Sequence, residues 1–174
     1  MLPLVSIINM SLSEGIFPKL NKEASVCPIY KKDDKEKCAN YRPISLLPNL
    51  SKLFEKVMYA RLEHFLKTSD ILYKFQFGFR KEHSTNHALL SIVEEIRHSL
   101  DKKMYTCGVF IDLEKAFDTV NHKILLSKLY HYGIRGVANS WFSSYLSNRY
   151  QTVSTNNTTS SRQLITCGVP QGSI

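Results

Sequence analysis

Two carboxylates, Asp112 and Asp118, bracket the stretch Asp-Leu-Glu-Lys-Ala-Phe-Asp, and the first of them ends a short apolar run, Cys107 to Ile111. An apolar strand that delivers an aspartate at its end can hold a metal ion beside phosphate groups. Buried and rigid, the strand would fix the carboxylate at one point on its rim. Asp serves equally well as the cap of a turn after a core strand, and the stretch alone suits both uses. A second acidic pair, Asp33-Asp34, is a poor metal ligand. Lys31, Lys32, Lys35, Glu36 and Lys37 crowd it, so its carboxylates are expected to be neutralised and solvated.

Other residue groups suit anions or nucleic acid. Lys31 and Lys32 begin the charged loop after one extended run and Arg42 stands at the head of another, where a planar guanidinium and two ammonium groups could meet phosphate. Solvated surface positions are the plainer use of all three. Gln76, Phe77 and Arg80 lie in Tyr73-Lys-Phe-Gln-Phe-Gly-Phe-Arg-Lys81, whose interleaved rings and cations suit stacking on a nucleic-acid strand. An aromatic turn buried beneath a helix start reads as well. Gly168-Val-Pro-Gln-Gly172 lets the backbone approach a ligand, with Gln171 as donor and acceptor, or is simply a loop after a hairpin.

The elements that must position these residues follow from periodicity. A short helix is expected over Leu4–Leu12 and an extended run over Ala24–Tyr30, placed at a sheet edge by Pro28. A charged loop follows at 31–37, then a second extended run from Tyr41 to Leu47. Ser51 to Thr68 is the clearest helix. Leu53, Phe54, Val57, Met58, Leu62, Phe65 and Leu66 form its apolar stripe, with Glu55, Lys56, Glu63 and Lys67 on the other side. Ser84 or Thr85 caps a further helix with the stripe Leu89, Leu90, Ile92, Val93, Ile96 and Leu100. The 107–111 strand comes next, with Cys107 as a small buried hydrophobe. A helix near Asn121 turns Ile124, Leu125, Leu126, Leu129 and Tyr130 inward, and a shorter one runs from Val137 to Leu146. Tyr150–Ser154 and Arg162–Thr166 form a hairpin around an Asn156-Asn157 turn.

The totals bound the reading. The 174 residues favour one domain with enough chain for a core. A formal charge of +8 and a pI near 9.3 suit an anionic partner such as nucleic acid, or a merely basic soluble protein. Four cysteines without a CxxC pair or zinc spacing speak against a disulfide framework and a zinc site. No targeting peptide and no membrane-spanning apolar run is evident, so an intracellular protein is expected, in the nucleus or the cytoplasm.

The order of the pieces resembles the reverse transcriptase of non-LTR retrotransposons of the LINE type, jockey-like. Its marks are Pro28-Ile-Tyr-Lys-Lys-Asp33, Asn40-Tyr-Arg-Pro-Ile-Ser-Leu-Leu47, Ser51-Lys-Leu-Phe-Glu-Lys56, Gln76-Phe-Gly-Phe-Arg80, Phe110 to Asp118, Trp141 to Arg149 and Gly168 to Ser173. The resemblance implies an α+β right-hand polymerase, with fingers at roughly 20–90 and 121–170 and the start of the palm at roughly 91–120. It implies Asp112 as the first catalytic aspartate and a ligand of Mg2+, with the Leu113 carbonyl beside it. Lys31, Lys32, Arg42, the amides of Lys115 and Ala116, the ring of Phe117 as a sugar gate, and Gln171 would meet the incoming nucleotide. Gln76, Phe77, Arg80 and Gly172 would meet the template, and Asp118 would be structural. The partners implied are an RNA template, a DNA primer and dNTPs, with no membrane. The family's Asp-Asp turn and thumb would lie beyond Ile174. The chain is therefore expected to be an N-terminal fragment that does not polymerise alone. A non-catalytic nucleic-acid-binding remnant is the alternative.

Overall fold

The computed structural model describes residues 2–155 and 158–173. They fall into two compact units, one built from 1–62 with 115–174 and the other from 63–114.

The first unit is mixed α/β around one five-stranded sheet, in the order β2-β1-β3 with β4 and β5 both on the far edge of β3. Strand β1 (Glu23–Tyr30) pairs antiparallel with β2 (Tyr41–Leu46) and parallel with β3 (Arg149–Thr155). The edge position expected for β1 is therefore corrected. Ser25 and Val26 have neighbours on both sides, Glu23 and Ala24 pair with β3 alone, and the half that carries Pro28 pairs with β2 alone. Pro28 stands opposite Pro43. Two residues along β2, the Ser45 amide points away from β1 and donates to the Gln171 carbonyl at 2.7 Å. By antiparallel alternation position 43 opens outward too, so its missing N–H removes no ladder bond.

The expected hairpin forms between β3 and β5 (Gln163–Ile165), with the short β4 (Thr158–Thr159) completing the edge. Between them Ser160 donates its amide to Val153 and accepts the Val153 amide on its hydroxyl, which keeps the ladder satisfied across the break. The Asn156-Asn157 turn lies outside the described residues.

Helices α1 (Leu2–Glu14), α2 (Asn49–Thr68), α4 (His122–His131) and α5 (Gly136–Leu146) match the expected positions within a few residues, as does α3 of the second unit (Thr85–Asp101). Phe17, Phe54, Met58 and Trp141 form the core of the first unit. Phe17 makes edge-to-face pairs with Phe54, Trp141 and Tyr145 at centroid distances of 5.8, 5.4 and 5.0 Å, the preferred aromatic geometry. The Trp141 indole N–H is satisfied by Ser11 at 3.1 Å.

Four sequence expectations are corrected. Glu55 is buried, because Ser51, Phe54, Glu55 and Met58 share one face at three-and-four spacing. The stripe of α3 is not buried: Leu89, Leu90 and Leu100 are each at least 60% exposed. Ile124 and Tyr130 of α4 are likewise exposed. Finally, 107–111 is not a buried strand. No described strand pairs with it, and an extended segment without a lateral partner can neither satisfy its amides nor bury its side chains. Val109, Phe110 and Ile111 are over 80% exposed, and Cys107 is exposed with them.

Burial first, and the Glu55 carboxylate second, push the Tyr145 hydroxyl well above the ordinary tyrosine range. A raised folded-state value stabilises the fold below the unfolded pKa of about 10, and that stability is lost as pH rises toward the folded value. Tyr145→Phe should therefore flatten the alkaline decline in stability. Urea midpoints measured from about pH 9 to about pH 11 would show it as a difference between variant and parent. Parallel declines would rule it out.

Candidate functional site

The Gly168–Ser173 turn is tied down on two sides within the first unit. On one side, Gln171 accepts the outward amide of Ser45 on β2. On the other, Gly168 donates to the Val120 carbonyl at 2.8 Å and Val169 donates to the Phe117 carbonyl at 2.9 Å. His122, first residue of α4, donates from Nε2 to the Gly168 carbonyl at 2.7 Å. A carbonyl only accepts, which assigns the proton to Nε2.

Both glycines of the turn are required by its backbone. Gly168 has φ +83°, and a Cβ there would lie 2.7 Å from the Asp118 carbonyl oxygen. Gly172 has φ +114°, and its Cβ would lie 2.7 Å from the Ser45 carbonyl oxygen. The close approach they permit is to the chain's own backbone. Pro43, Ser45, Asp118, Gln151, Gly168 and Pro170 are among the residues lining a cleft of about 300 Å³.

Residues 114–119 turn tightly. Lys115 has φ +52°, an unusual conformation for a residue with a Cβ. Its carbonyl accepts from the Asp118 amide at 2.9 Å and from both the amide and the hydroxyl of Thr119 at 3.2 Å. Among the described residues no hydrogen bond uses the amides of Lys115 or Ala116, and both residues are exposed. A left-handed residue followed by open amides is a conformation that receives anions. Phe117 is half exposed.

Lys31, Lys32 and Arg42 are all exposed at one end of the β1–β2 hairpin, where the Lys31 amide donates to Asn40. None of the three lines the cleft. The structure thus brings Gln171 and Gly172 together with β2, and ties the turn that carries them to 117–120. Asp33 and Asp34 are exposed, and Lys37 lies 3.8 Å from the Asp34 carboxylate.

Asp112 and Leu113 belong to the second unit and are exposed. Gln76, Phe77 and Arg80 also belong to it, in a run of turns. The Tyr73 carbonyl there accepts from the Gln76 amide at 2.9 Å and from Arg80 Nη1 at 3.3 Å. Phe77 is half buried against His83, at a ring separation of 6.0 Å.

Two groups escaped the reading of the sequence. His122 carried no signal beyond following the Asn121 cap, whose side chain accepts the Lys123 and Ile124 amides. The buried set of Glu55, Tyr145 and Arg149 did carry one, since Glu55 lies four residues after Ser51 and three before Met58.

Residues 29–174 match the family model described as reverse transcriptase (RNA-dependent DNA polymerase). The chain is 38% identical over 98% of its length to the probable RNA-directed DNA polymerase from transposon BS of Drosophila melanogaster, of which it covers 19%. It is 37% identical, again over 98% of its length, to the RNA-directed DNA polymerase from mobile element jockey of the same fly, of which it also covers 19%. The probable RNA-directed DNA polymerase from transposon X-element is 33% identical over 97% of the chain, which covers 18% of that protein. The chain thus spans about a fifth of the length of these relatives.

Proposed function

The chain belongs to the reverse transcriptase family, and from that premise we propose that it is the nucleotide-engaging portion of an RNA-directed DNA polymerase of a non-LTR retrotransposon. We assign roughly 20–90 and 121–170 to fingers and roughly 91–120 to the start of a palm. The observation that carries the reading is the tie between the Gly168–Gly172 turn and the 114–119 turn. It joins the segment bearing Gln171 to the one bearing Lys115, Ala116 and Phe117.

In the proposed reaction a primer 3′-hydroxyl oxygen attacks the α-phosphorus of a dNTP. A new phosphodiester bond forms, and the bond to pyrophosphate breaks. The Asp112 carboxylate and the Leu113 carbonyl are hard oxygen donors of the kind Mg2+ takes, and Mg2+ ordinarily completes its shell with water and substrate phosphates. Among the described residues no group of three or more His, Cys, Asp or Glu could hold a metal. The donors therefore fit an ion shared with substrate rather than a closed cage. Mg2+ when bound supplies Lewis-acid stabilisation of phosphate oxygens.

The chain's own residues do the rest. The amides of Lys115 and Ala116 receive phosphate oxygens, and Lys31, Lys32 and Arg42 offset charge on the leaving group. The Phe117 ring crowds a 2′-hydroxyl, and Gln171 meets the base. Gln76, Phe77, Arg80 and Gly172 meet the template. With RNA, primer and dNTPs as its partners, the proposed location is intracellular, in the nucleus or the cytoplasm.

The test is primer extension on an RNA template with Mg2+ and dNTPs by the full-length protein that carries this chain. Template-dependent DNA is expected. RNA binding without extension would overturn the polymerase reading in favour of a binding protein. A polypeptide of these 174 residues alone is expected to bind RNA with steep salt dependence and to extend nothing, having a single candidate metal carboxylate at Asp112. Extension by that polypeptide would refute the fragment assignment.

A further inference from the structure

The three bonds around Gly168 do different work. Its amide and the Val169 amide hold the carbonyls of Val120 and Phe117, whereas the Gly168 carbonyl is held by the His122 imidazole. Gly168 is buried, and a Cβ there would lie 2.7 Å from the Asp118 carbonyl oxygen, so in this arrangement its carbonyl depends on His122 for a donor. His122 in turn is fixed as the first residue of α4, behind the Asn121 cap. The Phe117 main chain is thus referenced to α4 through one side-chain bond and two main-chain bonds.

We propose that His122 is a positioning residue for selection of the nucleotide sugar. Its Nε2–H anchors the Gly168 carbonyl. That holds Val169 in register with Phe117 and keeps the Phe117 ring at a fixed height over the sugar. Without the imidazole, the buried carbonyl loses its donor and the 168–169 segment shifts to find water. The backbone bond to Phe117 then no longer sets the ring. Incorporation of a deoxynucleotide tolerates such movement, because nothing at its 2′ position touches the ring. Exclusion of a ribonucleotide does not, because it depends on a steric contact of a few tenths of an ångström. The inference rests on the proposed role of Phe117.

The experiment compares the full-length protein with its His122→Ala and His122→Gln variants, measuring kcat and KM for one dNTP and the matching rNTP on an RNA template. Gln can present an amide N–H at nearly the reach of Nε2. His122→Ala is expected to lower the dNTP-over-rNTP ratio of kcat/KM about tenfold, the order of one lost hydrogen bond, chiefly by lowering KM for the rNTP. His122→Gln should restore most of the ratio. Equal losses for both sugars in His122→Ala, or a Gln variant as indiscriminate as Ala, would overturn the proposal. An active parent with an unchanged ratio sinks this inference alone. A parent that makes no template-directed product sinks the polymerase reading and the inference with it. Should His122→Ala fail to fold, His122→Phe, which keeps a ring and lacks the N–H, takes its place: a ratio lowered as expected for Ala supports the anchor, and a ratio matching the parent overturns it.

Discussion

Asp112→Asn in the full-length protein should reduce RNA-templated extension to background while leaving the melting temperature where it was. The substitution keeps the shape of the side chain and removes only its charge. Asp112 is exposed, and no hydrogen bond or ion pair involves it among the described residues, so the effect on stability should stay within about 0.5 kcal/mol. The effect on the reaction is of another order. A neutral amide is a poor ligand for a hard divalent cation, and losing one preorganised electrostatic partner of the transition state costs roughly 100- to 1,000-fold or more. Asp33→Asn and Asp34→Asn provide the internal control, since both carboxylates stand in a solvated, lysine-rich loop. Primer extension and thermal melts on the three variants separate the cases. An Asp112→Asn protein that extends at the parental rate would remove Asp112 from the chemistry.

Asp112 does not stand where the sequence first put it. Five apolar residues before an aspartate suggested a buried strand holding a carboxylate at its end, yet a strand exists only through its neighbours. Nothing within 107–111 can say whether a partner lies alongside, and among the described residues none does. The same reason governs the stripes of α3 and α4. A three-and-four repeat reports that one face of a helix is apolar and that the helix forms; it carries no information about what covers that face. Ser84 and Asn121 were more legible because a cap is a local matter. Each bonds amides two or three residues ahead on its own chain.

The glycine–glutamine turn was half legible. Two glycines around a proline announced a close backbone approach, and the approach is there. Its object is the Asp118 and Ser45 main chains, which are distant in sequence, and no local pattern names a distant partner. The β3–β5 hairpin was readable from alternation and spacing. The parallel pairing of β3 with β1 was not, since it joins residues 23–26 to 150–153 across most of the chain. That pairing moves the Pro28 strand inward and gives the sheet its mixed character.

Glu55→Ala is expected to be the most destabilising single change in the first unit outside its aromatic core. Glu55 is 6% exposed, and its Oε1 accepts from the Ser51 hydroxyl at 2.9 Å and from the Tyr145 hydroxyl at 3.1 Å. Its charge also acts on Arg149, which is 1% exposed. Arg149 donates from Nη1 to the Tyr145 carbonyl at 3.1 Å and lies 4.7 Å from the Tyr145 ring centroid, but its Nε and Nη2 have no hydrogen-bond partner among the described residues. Burial pulls the Arg149 pKa below its ordinary value, and burial followed by the Arg149 charge does the same to Lys22. One carboxylate therefore acts on the buried Arg149 cation. Removing it strands that cation, and breaking a buried charge arrangement from one side costs about 3–5 kcal/mol. For a chain of this length that lowers the melting midpoint by roughly 6–20 °C. Glu55→Gln keeps the volume and an acceptor for both hydroxyls, so its loss should be smaller and should report the charge alone. Arg149→Met placed on the Glu55→Ala background should recover part of the stability, because it removes the cation that the first change left unpaired. A Glu55→Ala chain that melts with its parent, or a double variant worse than the sum of its singles, would mean that Arg149 is balanced by something other than Glu55.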